Sequence, residues 1–268
     1  MARQDDLELA LGLSDIADRI TGRRFQALDL RVREKPDRTP VTDADTAVET
    51  AVREALASAR PDDAFAGEET GGSVTAGRTW MLDPIDGTKN FLRGVPVWAT
   101  LIALLDNGRP TVGVISAPAL HSRWWAAAER GAWLRRGPVG SAPLPLRVSG
   151  STRLADAYLS TTSTRTWDVF HSRAAYLRLA EECWEDRAFG DFLQHCMVAE
   201  GTLDIAAEPV VNPWDIAAVQ ILVAEAGGVC TDLLGASPHH GTGALSANPQ
   251  LHRLALKILS PATGPSAV

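Results

Sequence analysis

The sequence predicts a mixed α/β protein: helices first, then a meander of strands, then strands alternating with helices. Three observations carry this reading. Apolar residues near the N-terminus recur at helical spacing. Two turn signals sit between apolar runs in the middle of the chain. After about Gly150, short apolar runs alternate with helical stretches. A soft boundary therefore falls near residue 148, giving an N-terminal half (1–148), a C-terminal half (149–262) and a tail (263–268).

The first helix is expected from about Asp5 to Arg24, with Leu9, Leu13, Ile16 and Ile20 on one side. Lys35-Pro36-Asp37 makes a turn, because proline disfavours helix around it. Thr42 or Asp43 caps a second helix that carries Val48, Val52 and Leu56 on one face. Trp80-Met81-Leu82 is an apolar run that delivers Asp83. Asp106-Asn107-Gly108 and Glu129-Arg130-Gly131 each join two apolar runs as hairpins. Tyr158 to Thr161 reads as a strand, Val169 to Cys183 and Asp191 to Glu200 as helices, and Leu203 to Ala207 as a strand. Pro213 to Ala226 has proline in its first turn and Gly227-Gly228 at its end, the expected helix asymmetry. Val229 to Thr231 returns as a strand and Arg253 to Leu259 as a last helix. Ser260 to Val268, rich in Pro, Ala, Gly and Ser, reads as a frayed end.

Composition narrows the function. The 268 residues are 45% hydrophobic, enough for a substantial core. The net charge of −7, from 26 basic and 33 acidic side chains, argues against a nucleic-acid-coating surface. It suits a protein that collects cations through clustered carboxylates. No apolar run reaches the roughly 20 residues of a membrane helix, and the first residues lack a signal-peptide pattern, so a cytoplasmic location is expected. Cys183, Cys196 and Cys230 are too scattered for a disulfide framework or a CxxC metal site.

The informative stretch is Trp80-Met81-Leu82-Asp83-Pro84-Ile85-Asp86-Gly87-Thr88-Lys89-Asn90-Phe91. An apolar strand runs into two acids three residues apart, and Pro and Gly shape the turn between them and a helix start. Oxygen-only ligands suit magnesium, calcium or manganese. Gly87 permits close backbone approach, and the amides of Gly87 and Thr88 at a helix start form a ready phosphate site. A plain turn fits the same dipeptides. Glu68 and Glu69 follow Gly67 on an apolar lead, which reads equally as a solvated acidic loop. Asp215 opens an apolar helix, and Asp43 and Asp45 open another, where an acid is ordinary.

Taken together, "GEET", "WMLDPIDGTKNF" and "PWDIAAVQILVAEAGG", in this order, resemble the three signature blocks of the inositol monophosphatase family. The resemblance spans about Leu9 to Leu259. It implies a layered α+β sandwich of the inositol-monophosphatase and fructose-bisphosphatase kind, a magnesium-dependent phosphatase, and a homodimer. Two or three Mg2+ ions per site are implied, with Mn2+ or Zn2+ as substitutes. Glu68, Asp83 and the Ile85 carbonyl would hold one ion, and Asp83, Asp86 and Asp215 a second. Glu68 would also serve a weaker third ion, with Asp45 nearby through water. Thr88 would position the attacking water with Glu68, and the Gly87 and Thr88 amides would bind phosphate. Charge neutralisation and positioning are what slow phosphate-ester hydrolysis needs.

The leaving alcohol would face the C-terminal half, at positions matching Arg187, Asp191 and Glu208. Inositol phosphatases typically carry a small hydroxyl residue where this chain has Asp191. Two acids beside the alcohol favour a substrate with a positive amine or imidazole, and histidinol phosphate carries both. An N-cap for Asp191 and a strand-end surface acid for Glu208 are the bland alternatives. Inositol or broad sugar phosphates are the competing substrates, and an RNA-associated regulatory role on the same fold is a competing class. His239-His240 and His195 are not expected to ligate metal. Trp124 and Trp125 should place one ring on each side of a strand, and Trp98 and Trp214 should pack.

Overall fold

The computed structural model describes residues 2–36, 39–138, 140–238 and 241–260. His239 and His240, and the tail from residue 261, lie outside them. Helix α1 (Ala2–Arg24) starts the chain and buries Leu7, Ala10, Leu13 and Ala17. Leu9, Ile16 and Ile20 flank that stripe and are only partly buried. The buried line thus keeps Leu13 but is centred on Leu7, Ala10 and Ala17, with the other expected residues at its edges. A short hairpin, β1 (Val32–Glu34) and β2 (Pro40–Thr42), leads to α2 (Asp43–Ala59). Thr42 caps α2, and Asp45 closes the capping box by accepting the Thr42 amide at 2.8 Å.

The first sheet has seven strands in the order β3 (Ala64–Gly67), β4 (Arg78–Asp86), β5 (Ala99–Asp106), β6 (Arg109–Ala117), β7 (Ser122–Ala127), β8 (Ala132–Arg136) and β9 (Leu144–Pro145). Only the β3–β4 pair is parallel; the rest is an antiparallel meander. Both expected hairpins are present, at Asn107-Gly108 and Glu129-Gly131. Trp124 packs into the core on one face of the sheet and Trp125 against the core on the other. A six-residue helix, α3 (Thr88–Arg93), follows β4.

The second sheet comprises β10 (Tyr158–Ser160), β11 (Glu185–Arg187), β12 (Ile205–Glu208), β13 (Val229–Thr231) and β14 (Ala244–Ala247), in the order β11-β10-β12-β14-β13. It is parallel across β11, β10 and β12 and antiparallel beyond. Its helices are α4 (Thr164–Phe170), α5 (Arg173–Glu182), α6 (Asp191–Glu200), α7 (Pro213–Glu225) and α8 (Pro249–Leu259). The single helix expected over Val169 to Cys183 is instead the pair α4 and α5. Ser163 and Ser172 each accept a backbone N–H at a helix start, so each begins its own helix.

Helices α1 and α2 cover one face of the first sheet. Helices α6 and α7 fill the space between the two sheets, and α5 and α8 cover the outer face of the second. Helix α7 is apolar almost all round, with Ile216, Ala217, Ala218, Val219, Ile221, Leu222 and Val223 buried, as a helix packed on both sides must be. Its C-terminal Glu225 accepts the amides of Glu129, Arg130 and Gly131, so it is pinned to the β7–β8 turn. No described helix is long and apolar enough to cross a membrane.

Strand β6 meets α7 at Gly113. A methyl group there would lie 2.5 Å from Ile221 Cγ2 and 2.8 Å from the Ala218 carbonyl. Gly113→Ala should therefore destabilise the protein by about 1–3 kcal/mol through overpacking. Urea unfolding should show a lower midpoint at unchanged slope; an unchanged midpoint would mean that α7 is not seated against this glycine.

Candidate active site

Strand β4 runs through Pro84 to Asp86, with a register break between Asp83 and Asp86. Residues three apart on a regular strand point to opposite faces. The irregularity cancels that offset, as an extra residue in a bulge does. The Pro84 carbonyl is held by the Thr100 hydroxyl at 2.7 Å, which fixes the bulge. Ile85 then points away into a small core with Phe91 and Trp98, while both acids face the same cleft.

Four further acids meet them from other elements. Glu68 and Glu69 follow β3, Asp45 stands in the first turn of α2, and Asp215 in the first turn of α7. Burial raises the carboxyl of Asp83 well above the usual carboxylate range, and the charges of Glu68, Asp86 and Asp215 raise it further. Asp86 is raised likewise, by burial and then by Asp191 and Asp215. Burial also pushes Asp215 and Asp45 up to about 7, and Glu69 above its ordinary value. Each acid is therefore within electrostatic reach of the next. One nearby cation, Lys35 from the β1–β2 hairpin, donates to Glu68 at 2.7 Å and lies 2.8 Å from Glu69.

The donor set suits a hard cation. One oxygen of Asp83 and one of Asp45 are buried without a hydrogen-bond partner, which is costly unless something positive approaches. Every donor is a carboxylate or carbonyl oxygen, the preference of magnesium and its relatives. Among the described residues, no three acid, histidine or cysteine side chains stand close enough to ligate one ion in their present rotamers. Lys35 holds Glu68 in an ion pair.

Two residues that sequence reading did not single out build this cleft. Glu49 is buried on α2, and its carboxylate accepts the amides of Glu69 and Thr70 at 2.9 and 2.8 Å, and the Thr70 hydroxyl. Gly67 is glycine for the same reason: a methyl group there would sit 2.5 Å from the Glu49 carboxylate. An acid eighteen residues before the "GEET" run gave no local signal of this. The second is Thr162, which touches both acids of the neighbouring cavity.

That cavity, of about 260 Å3, continues from Asp86 and Asp215 and is lined by Lys89, Thr162, Thr166, Asp191, His195 and Glu208, among others. Asp191 is not an N-cap: it is the first residue of α6, and its carboxylate accepts Asn90 Nδ2 at 3.2 Å. Glu208 is not a surface acid: it is 8% exposed at the end of β12, and burial pushes it up to about 7. His195 is buried against Ser246 Oγ at 2.9 Å, and burial lowers it to about 4, so it is neutral. Arg187 does not line the cavity; it is exposed on β11 and paired with Glu185 at 2.6 Å. Gly87 takes φ +84°, and a methyl group there would lie 2.9 Å from the Val97 carbonyl and 3.4 Å from Asp191 Oδ2. Thr88, the first residue of α3, donates its hydroxyl to the Ile85 carbonyl at 2.9 Å. Trp98 and Trp214 pack into core clusters. Size alone does not mark a site here: a groove of about 680 Å3 lies beside α1 and β7. There, Asp15 and Asp18 are already neutralised by Arg123, at 2.8 and 2.6 Å.

A family model described as the inositol monophosphatase family matches residues 3–263. The chain is 55% identical to a histidinol-phosphatase of Mycobacterium tuberculosis, over 92% of this chain and 95% of that protein. It is 47% identical to a histidinol-phosphatase of Streptomyces coelicolor, over 92% and 94%. Its fold is similar to that of an inositol monophosphatase from Zymomonas mobilis, with a TM-score of 0.84 and 30% identity over 97% of this chain and all of the other.

Removing the Glu49 carboxylate should free the loop that carries Glu68. Glu49→Ala is expected to cost about 1–3 kcal/mol in unfolding and to weaken divalent-ion binding by roughly tenfold in a calorimetric titration. A variant with native ion affinity would show that Glu49 does not set the loop. Metal binding should also depend on pH in a defined direction. Asp45 and Asp215, raised to about 7, contribute stability as protonated groups that is lost as pH rises through 7, and an ion must displace those protons below it. Millimolar Mg2+ should thus raise the melting temperature more at pH 8 than at pH 5.5; an equal rise at both would contradict the raised carboxyls.

Proposed function

Because the chain belongs to the inositol monophosphatase family, we propose that this metal-dependent phosphatase hydrolyses L-histidinol phosphate to L-histidinol and phosphate, with Mg2+ as its ion. One observation carries the choice of substrate. The cavity beside the metal-binding acids is walled by two more carboxylates, Asp191 and Glu208, with Lys89 as the lysine or arginine lining it. A neutral polyol has no use for two negative charges, whereas an ammonium and an imidazolium do. The two histidinol-phosphatases at 55% and 47% identity support the same reading.

In this reading Glu68, Asp83, the Ile85 carbonyl, Asp86 and Asp215 hold the ions, with Asp45 close by. Bound there, Mg2+ supplies positive charge against the phosphate oxygens and makes water more acidic. The chain's own groups do the rest. The amides of Gly87 and Thr88 are first-turn donors with no intrahelical acceptor, so they are available to phosphate oxygens. The Thr88 hydroxyl and Glu68 would orient the attacking water, and the Glu68 carboxylate would take up its proton. Asp191 and Glu208 grip the cationic part of the alcohol and hold the ester in line. Residues 1–148 then supply most ion ligands and 149–262 the contacts to the alcohol. Arg187 keeps a place in the proposal only as an outer contact, since its guanidinium is engaged by Glu185. A homodimer and a cytoplasmic location belong to the same proposal; the exposed Trp184 beside the edge strand β11 supports the former.

A steady-state comparison of L-histidinol phosphate with inositol 1-phosphate tests it, with Mg2+ and with chelator. The first ester should be favoured by at least tenfold in kcat/KM, and chelator should abolish both rates. Asp191→Asn keeps a residue that tolerates the left-handed backbone at this position (φ +47°) and removes the charge. It should reduce kcat/KM for histidinol phosphate by about 10- to 100-fold and for inositol phosphate far less. Equal losses on the two esters would remove the support for a cationic substrate.

A further inference from the structure

We propose that Thr162 is the positioning residue that sets selectivity for a cationic leaving group, by holding Asp191 and Glu208 together through one hydroxyl. This rests on the reading of the substrate given above and extends it to a residue with no charge of its own.

Thr162 lies just beyond the end of β10, at the rim of the cavity. Its amide donates to Glu208 Oε1 at 2.8 Å, and its hydroxyl donates to the same oxygen. The hydroxyl oxygen in turn accepts the amide of Asp191 at 2.8 Å. A hydroxyl has one proton and two lone pairs. With its proton committed to Glu208, the oxygen is left as an acceptor for Asp191, so both bonds are made without conflict. Gln194, fully buried on α6, completes the arrangement: its Nε2 donates to Glu208 Oε1 and lies 3.4 Å from the Thr162 hydroxyl.

Two consequences follow for the acids. Oε1 of Glu208 receives three donors, from Thr162 twice and from Gln194 once. Its valence for hydrogen bonds is thereby filled, and Oε2 is the oxygen left to meet a ligand. Asp191 sits at φ +47°, a conformation that costs a non-glycine residue energy unless its surroundings impose it. The Thr162 hydroxyl on its amide and Asn90 on its carboxylate are the contacts that impose it. Thr162 therefore fixes the spacing and aim of the two negative groups. The acids proposed to bind ions are carried by other elements, β4, α2 and α7, and the Phe192 amide of α6 joins the two sets by donating to Asp86 Oδ2 at 2.7 Å. Burial raises the Asp191 carboxyl above the usual carboxylate range, and the Lys89 charge at the rim offsets part of that.

Thr162→Val removes the hydroxyl at nearly constant shape and leaves the backbone bond to Glu208. Thr162→Ser restores the hydroxyl. With Mg2+ present, kcat and KM are measured for L-histidinol phosphate and for β-glycerophosphate, a neutral alcohol ester. In Thr162→Val, the ratio of kcat/KM for the cationic over the neutral ester should fall by about tenfold, mostly through a higher KM for histidinol phosphate. Thr162→Ser should recover the ratio to within about twofold. If Thr162→Val folds poorly by thermal melting, Thr162→Ala makes the same comparison. A ratio within twofold of wild type, a loss that resides in kcat for both esters, or a Thr162→Ser that behaves like Thr162→Val would each overturn the role of Thr162 and leave the substrate intact. A wild-type enzyme that does not prefer the cationic ester overturns the substrate reading, and this role falls with it.

Discussion

The structure depends on the repulsion among carboxylates that it forces into one cleft. Burial raises the proton affinity of Asp83, Asp86 and Asp215, and the negative charges around them raise it further. Such a cluster opposes folding unless positive charge offsets it. The chain provides part of that charge itself. Lys35 pairs with Glu68 and Glu69, and the capping amides of Thr42 and Asn212 donate to Asp45 and Asp215 at 2.8 Å. In the proposed reading, bound cations would supply the remainder.

Most of the fold serves to keep those acids from separating. The bulge at Pro84–Ile85 brings Asp83 and Asp86 to one side of β4. Glu49 ties down the loop after β3, and Gly67 makes room for it. Gly113 lets α7 lie against the first sheet, which carries Asp215 to the others. These are three different devices, from three stretches of chain, with one common effect. Each acts at a distance from the reacting atoms, so each is a place where packing sets chemistry.

The second sheet adds a different kind of acid. Glu208 and Asp191 flank the cleft without joining the ion-binding set, and neutral donors hold them: Thr162, Gln194 and Asn90. Neutral partners orient a carboxylate without cancelling its charge. Lys89, in the lining of the same cavity, is the cation that faces Asp191. In the proposed reading, this second pair of acids marks the leaving-group side of the cleft.

Local chemistry in the sequence by itself determined the helices α2, α6 and α7, the two hairpins and the place of Asp83. Caps, turn dipeptides and apolar spacing act over a few residues, and Thr42, Asn107-Gly108 and Pro213 are such signals. The acids of the ion site were named from the resemblance of three motifs, because nothing in spacing links Asp215 to Asp83. Other features were invisible at that level. The break between α4 and α5 turned on Ser172 as a cap inside what read as one helix. The partnership of Glu49 with Gly67 and Thr70, and of Thr162 with Asp191 and Glu208, joins residues 18 to 46 positions apart. Only the tertiary structure decided those, since a hydrogen bond between distant segments leaves no periodicity in the chain and depends on how two sheets and the helices between them come to rest against each other.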